Sequence, residues 1–295
     1  MLKLAVADIV GPMRNLVLAA LTCLVVACSS APVTTSTVPV DGGSDSSGDS
    51  GTSPVAWPKA FGSYVVLGDS ISDKGAGAAT GPFYRDLLYQ NDDVMYPAWK
   101  GLTLKEQFGV TQYLPKAVGG AVTGNLQTQL GTVPASLPTP ILVTVTIGGN
   151  DLHAALGDII VNPPAAQKDA QRMADNIDAF LQSISDKYPG QVYVLEADIY
   201  DPSGDNGDFS GCPGLIKIDA KLDHSTFTTW NGLLKAAIDK PPPTLMAPLH
   251  DTFLGHDVHA ADDWFYTDCI HPTPKGQHQI RRMLWKMLTG QDGPQ

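Results

Sequence analysis

Five short apolar runs, at residues 64–67, 112–118, 141–147, 192–199 and 245–249, recur along the chain with helical patterns between them. Short apolar runs bounded by turn formers read as buried strands. Between them, Met173, Ile177, Phe180, Leu181 and Ile184 share one helical face, as do Phe227, Trp230, Leu234 and Ile238. Thr273-Pro274 opens a last helix with Ile280, Met283, Leu284, Met287 and Leu288 as its inner stripe and Gly290 as its stop. Such alternation implies a parallel sheet with helices on both faces. Pro115 has no N–H to give a central ladder, so the 112–118 strand belongs at an edge. The chain contains no internal repeat.

In a sheet of this kind the functional site lies beyond the carboxyl ends of the strands. Four of those ends carry chemistry. The first run ends in Gly68-Asp69-Ser70, a tight turn with a serine at its tip. The edge strand runs into Gly119-Gly120, where glycines let backbone N–H groups approach a ligand closely. Gly148-Gly149-Asn150-Asp151 follows the third run, and Asp268-Cys269-Ile270-His271-Pro272 precedes the last helix. Singly, Asn150-Asp151 reads as a helix N-cap and His271-Pro272 as the end of a loop. Their coincidence at four strand ends points instead to a serine hydrolase site.

These four blocks, in this order, resemble the SGNH (GDSL) hydrolases, and the resemblance covers about residues 60–290. It implies an α/β fold: a flavodoxin-like three-layer α/β/α sandwich on a five-stranded parallel sheet, strand order 2-1-3-4-5. It also implies that Ser70 is the nucleophile and that Asp268 and His271 complete a triad. The oxyanion hole would comprise the Ser70 N–H, the Gly120 rather than the Gly119 N–H, and the Asn150 side chain. The first block reads Gly-Asp-Ser-Ile-Ser where the family more often has leucine, a change that touches no reacting atom. No Gly-x-Ser-x-Gly elbow occurs, which argues against an α/β-hydrolase.

The chemistry is coherent without the resemblance. Ester hydrolysis needs a nucleophile, a base near neutral pKa, a group that orients the base, and donors for the tetrahedral oxyanion. Asp268 and His271 are close enough in sequence to project from one loop. No metal or organic cofactor is required. His250, His256 and His259 with Asp251 and Asp257 lack the spacing of a helical zinc site. Asp201, Asp205 and Asp208 lack the glycine and terminal glutamate of an EF-hand loop and read as a solvated acidic loop.

Residues 16–27 form an unbroken run of small and apolar residues behind Arg14, too short to span a bilayer but fitting a secretory signal. The run closes on Cys28 and resembles a bacterial lipoprotein signal, which would make Cys28 the lipidated first residue. The expected organisation is a signal over 1–27, a tether rich in Ser, Thr, Gly and Pro over 28–56, and one hydrolase domain over 57–290. Translation beginning at Met1 or at Met13 fits equally. Cys212 and Cys269 are then the two cysteines left in an exported domain, a plausible disulfide.

A net charge of −11 argues against nucleic acid and against electrostatic docking on anionic lipid. Contact with a membrane is expected only through the lipid anchor, and the protein is expected to be a monomer. Lipases, short-chain esterases, thioesterases and carbohydrate O-acetylesterases share the motifs above. The Gly-Asp-Ser-x-Ser-Asp form of the first block resembles the lipolytic branch, with Phe83 and Tyr84 equally readable as an apolar wall or as core. A binding lipoprotein without activity is the alternative from another class, and the complete triad speaks against it.

Overall fold

The computed structural model describes residues 57–74, 81–212 and 221–295; the expected signal, Cys28 and the whole of the tether lie outside them. The elements are β1 (Ser63–Gly68), α1 (Tyr84–Tyr89), α2 (Leu104–Gln107), β2 (Gln112–Pro115), α3 (Leu126–Gly131), β3 (Ile141–Thr146), α4 (Gly149–Val161), α5 (Pro163–Lys187), β4 (Val192–Ala197), α6 (Ser225–Ile238), β5 (Thr244–Ala247), α7 (Leu249–Phe253) and α8 (Pro274–Thr289). All strand pairs are parallel and the order is β2-β1-β3-β4-β5, as expected, with the Pro115 strand at the edge.

Alternation along the strands divides the core in two. Val65, Leu67, Val143, Val145, Val192 and Val194 face α3, α4, α5 and α6. Tyr64, Val66, Leu142, Leu195 and Ala247 face α1, α2, α7 and α8. This is the three-layer α/β/α arrangement. The stripe of α5 and that of α6 are buried as their periodicity predicts. In α8, Thr273 caps the first turn and Gly290 closes the last with φ +70°. Met287 is only half-buried, and Trp285 shares the inner face in its place. Among the described residues no helix is long and apolar enough to cross a membrane.

Four strands stop short of the ends of their apolar runs, β3 by one residue and β4 by two, and in β2 and β5 proline is the reason. The ladder of β2 stops at Pro115. The run at 245–249 straddles Pro248, so β5 stops at Ala247 and Leu249 starts α7 instead.

Register places the site. Gly68 is level with Thr146, Thr146 with Ala197, and Ala197 with Ala247. Four strands therefore end in one row, and the segments leaving them emerge side by side.

Candidate active site

Gly68 is where the first of those segments turns away. It has φ +121°, and a Cβ there would stand 2.1 Å from the Thr146 carbonyl oxygen, so only glycine fits. The turn behind it is held at every step. Asp69 accepts the Ile71 N–H at 3.0 Å and the Thr146 hydroxyl at 3.0 Å. The Ser72 hydroxyl bridges Thr146 and Tyr84. Buried glutamines clamp both flanks. Gln129 bonds the Gly68 N–H and carbonyl, and Gln277 of α8 donates to the Ile71 carbonyl and accepts the Tyr84 N–H. Ser70 sits between these clamps, and its own N–H is taken up by no group among the described residues.

Asp268 and His271 meet as expected. One Asp268 oxygen accepts the N–H groups of Ile270 and His271 at 3.0 and 2.9 Å. The other lies 2.7 Å from His271 Nδ1. Burial raises the Asp268 carboxyl, but those N–H groups and the imidazole outweigh it and hold its pKa below the ordinary carboxylate value. An ionised carboxylate at Nδ1 puts the ring proton there and leaves Nε2 as the basic nitrogen. Nε2 is shielded from solvent and has no hydrogen-bond partner among the described residues.

Ser70 and Asn150 line one cavity of about 90 Å³, as does Ile270, the neighbour of His271. Apart from Asp69, Thr146, His153 and Asp198 its walls are largely apolar: Ile71, Ile147, Leu152, Leu156, Ile199, Phe209, Phe227 and Leu249. Burial pushes Asp69 up to about 7 against its two hydrogen bonds, and Asp198 up to about 6. Phe83 and Tyr84 are buried and line no part of this cavity, so they are core.

Asn150 stands in the first turn of α4, behind Gly148 at φ +100°. Its amide donates one proton to the Ala121 carbonyl at 2.9 Å, which leaves the second free. Asp151 beside it holds Thr123 through two hydrogen bonds and so ties the start of α4 to the glycine loop. In that loop the Gly119 N–H is spent on Asp73 at 2.8 Å. Gly120, with φ +76°, keeps its N–H unspent. It does not line the cavity.

Cys212 and Cys269 are bridged, with their Cα atoms 5.6 Å apart. The bridge ties the connection after β4 to the Asp268–His271 loop, in which Cys269 has φ +60°. Tyr200, which leaves β4 toward the same loop, donates its hydroxyl to the Ile270 carbonyl. Gln129, Gln277 and Tyr200 were not singled out by the sequence; the glutamines bond backbone, Tyr200 bonds the Ile270 carbonyl and also lines the cavity, and no motif marks them.

The histidine and aspartate groups weighed for a metal are dispersed otherwise than their sequence positions suggest. His256 stacks on Trp264, with ring centroids 3.6 Å apart, and His259 Nε2 meets the Asp208 carbonyl. Asp201 and Asp208 serve as caps within their loop, to Ser203 and Asp205 and to Ser210 respectively. His250, however, converges with His224 and Asp205.

The sequence model of the GDSL-like lipase/acylhydrolase family matches residues 66–279. No curated protein matches the chain. Among solved structures, a lipase from a goat rumen metagenome is similar, at 18% identity over 76% of this chain and 96% of its own, with TM-score 0.53. An acetyl xylan esterase from Geobacillus stearothermophilus, crystallised as a single-residue variant, is similar at 15% identity over 80% and 98%, also with TM-score 0.53. Both likenesses are of fold.

Proposed function

The chain belongs to the GDSL-like lipase/acylhydrolase family and is an ester hydrolase, and from that premise we propose that it cleaves carboxylic esters through an acyl-enzyme on Ser70. His271 Nε2 takes the hydroxyl proton as Ser70 Oγ attacks the ester carbonyl carbon. The developing oxyanion is held by the Ser70 and Gly120 N–H groups and by the free amide proton of Asn150. The imidazolium, stabilised by Asp268, gives its proton to the leaving alkoxide. Water attacks the acyl carbon and loses a proton to Nε2, which returns it to Ser70 Oγ as that oxygen leaves and the acid is released.

The observation that carries this reading is the orientation of His271: Nδ1 is engaged by Asp268 and Nε2 is buried without a partner. The apolar walls beside Ser70 favour an apolar acyl group over a polar one. Ser70→Ala should abolish both ester hydrolysis and labelling by a fluorophosphonate probe with the fold retained; labelling at the wild-type rate would reject Ser70 as nucleophile. A rate series on p-nitrophenyl esters of rising acyl length, with acetylated xylan alongside, assigns the acyl group.

Export with lipid anchoring at Cys28 is part of the same proposal and is supported by the apolar run ahead of that cysteine. Cys28→Ser should end incorporation of labelled fatty acid; equal partitioning of wild type and variant into membranes would reject anchoring.

A further inference from the structure

Asp205, His224 and His250 reach one point from three elements: the connection after β4, the residue before α6, and α7. Their ligand atoms all lie within 4.8 Å of one another. Asp205 Oδ1 is 2.8 Å from His224 Nδ1 and 3.1 Å from His250 Nε2. At such distances hydrogen bonds would be expected, yet neither contact is aligned as one. Both Asp205 Oδ1 and His250 Nε2 are shut off from solvent and remain without a hydrogen-bond partner. Two buried polar atoms face each other with nothing directed between them, which is unfavourable unless a further group satisfies both.

The geometry points to a site for a divalent transition-metal ion, zinc fitting best. Zinc held by imidazole and carboxylate at about 2.0–2.2 Å in a tetrahedron separates its ligand atoms by roughly 3.3 Å. The two spacings from Asp205 need to open by only a few tenths of an ångström, and the two imidazole nitrogens already stand within 4.8 Å of each other. Two imidazoles and one carboxylate suit zinc, cobalt or nickel and disfavour calcium and magnesium, which take oxygen ligands. The outer groups are also of the kind that orient metal-bound histidines. His224 Nε2 meets the Thr228 hydroxyl at 3.2 Å, and His250 Nδ1 faces the Asp251 carboxylate at 3.6 Å. The His250 N–H is fixed on Asp198 at 2.6 Å. The cluster opens on a cleft, which leaves a fourth position for water. Lys235, the cation in that cleft, is paired with Asp239.

Such an ion would brace the cavity beside Ser70. Pro202 and Phe209 flank Asp205 on its connection, Phe227 follows His224 in α6, and Leu249 precedes His250 in α7; all four line the cavity. The inference concerns structure and metal affinity, so it stands or falls apart from the proposed ester chemistry.

The test uses the purified full chain, stripped with a chelator and dialysed against Zn²⁺. One equivalent should be retained, and at 100 times Kd the melting temperature should rise by about 5–10 °C. Co²⁺ as the probe should give the intense visible absorption of a tetrahedral site. His224→Ala and, separately, Asp205→Asn should each lose the bound equivalent, the Co²⁺ band and the thermal shift. His224 is half exposed, and asparagine tolerates the φ of +66° at position 205, so both variants should fold. His259→Ala should keep all three signals. Absence of a bound equivalent in the wild-type chain, or its retention in either of the first two variants, would overturn the assignment.

Discussion

Gln129 grips Gly68 at both ends of the residue, its Oε1 accepting the Gly68 N–H at 2.8 Å and its Nε2 donating to the Gly68 carbonyl at 2.7 Å. The carbonyl has a second donor in the Val118 N–H, but the N–H depends on Gln129 alone. Gln129→Leu keeps the volume and leaves that N–H buried and unpaired. The expected loss is about 2–3 kcal/mol, read from denaturation midpoints. Because Gly68 lies two residues before Ser70, kcat should fall more than KM rises. An equal change in both would mean that Gln129 serves stability alone.

Asn150→Ala should lower kcat by on the order of 100-fold with little change in KM, the usual consequence of removing one oxyanion donor. The substitution also takes away the partner of the Ala121 carbonyl, so melting temperature should be measured in parallel. A loss confined to KM would assign Asn150 to substrate binding.

Reduction of the Cys212–Cys269 bridge should slow catalysis before it unfolds the chain. The bridge closes a loop of 57 residues, for which chain entropy gives stabilisation on the order of 4 kcal/mol. Its nearer effect falls on the backbone between Asp268 and His271, where a misplacement of about 1 Å costs roughly 100-fold. With excess reductant, or in Cys212→Ser, kcat should drop while far-ultraviolet circular dichroism is unchanged. Full activity under reduction would exclude the positioning role.

Asp69 makes stability depend on pH. Its folded pKa of about 7 lies above the ordinary carboxylate value, so between pH 4 and 7 the unfolded chain releases a proton that the folded chain retains. Stability from this group is full below about pH 4 and is lost as pH rises through 7, by at most about 4 kcal/mol. Asp268 acts in the opposite sense, its contribution being lost as pH falls below the ordinary carboxylate range. Asp69→Asn keeps an oxygen for Ile71 and Thr146 while removing the charge. The decline in denaturation midpoint between pH 4 and 7 should flatten in the variant; an unchanged slope would place the titration elsewhere.

Legibility in the sequence followed chemical necessity. Ser70 and Asn150 could be read because each stands in a short block at a strand end, ends that the level row Gly68–Thr146–Ala197–Ala247 brings together, and Asp268 and His271 because they share one short block just ahead of α8. The edge place of β2 was legible through Pro115, a residue that a central strand cannot accommodate, while the full strand order came only from the family resemblance. The supports were not. Gln129 is 61 residues from Gly68, and Gln277 is 206 from Ile71. A glutamine that satisfies a distant peptide group looks in sequence like any polar residue on a helix. His224 and Asp205 were overlooked as partners of His250 for the same reason, since three ligands from three elements leave no local spacing.

The grip of Gln277 on Ile71 and Tyr84 also sets an order of events during synthesis. Ser70 is made well before α8, yet the turn that presents it is fastened by Gln277 of that helix, 206 residues beyond Ile71. His271 lies just ahead of α8 and is made at nearly the same moment. A nascent chain interrupted between residues 70 and 271 therefore carries the serine but neither His271 nor the second clamp. On the proposed mechanism the hydrolase stays silent until α8 has been synthesised and folded back onto that turn.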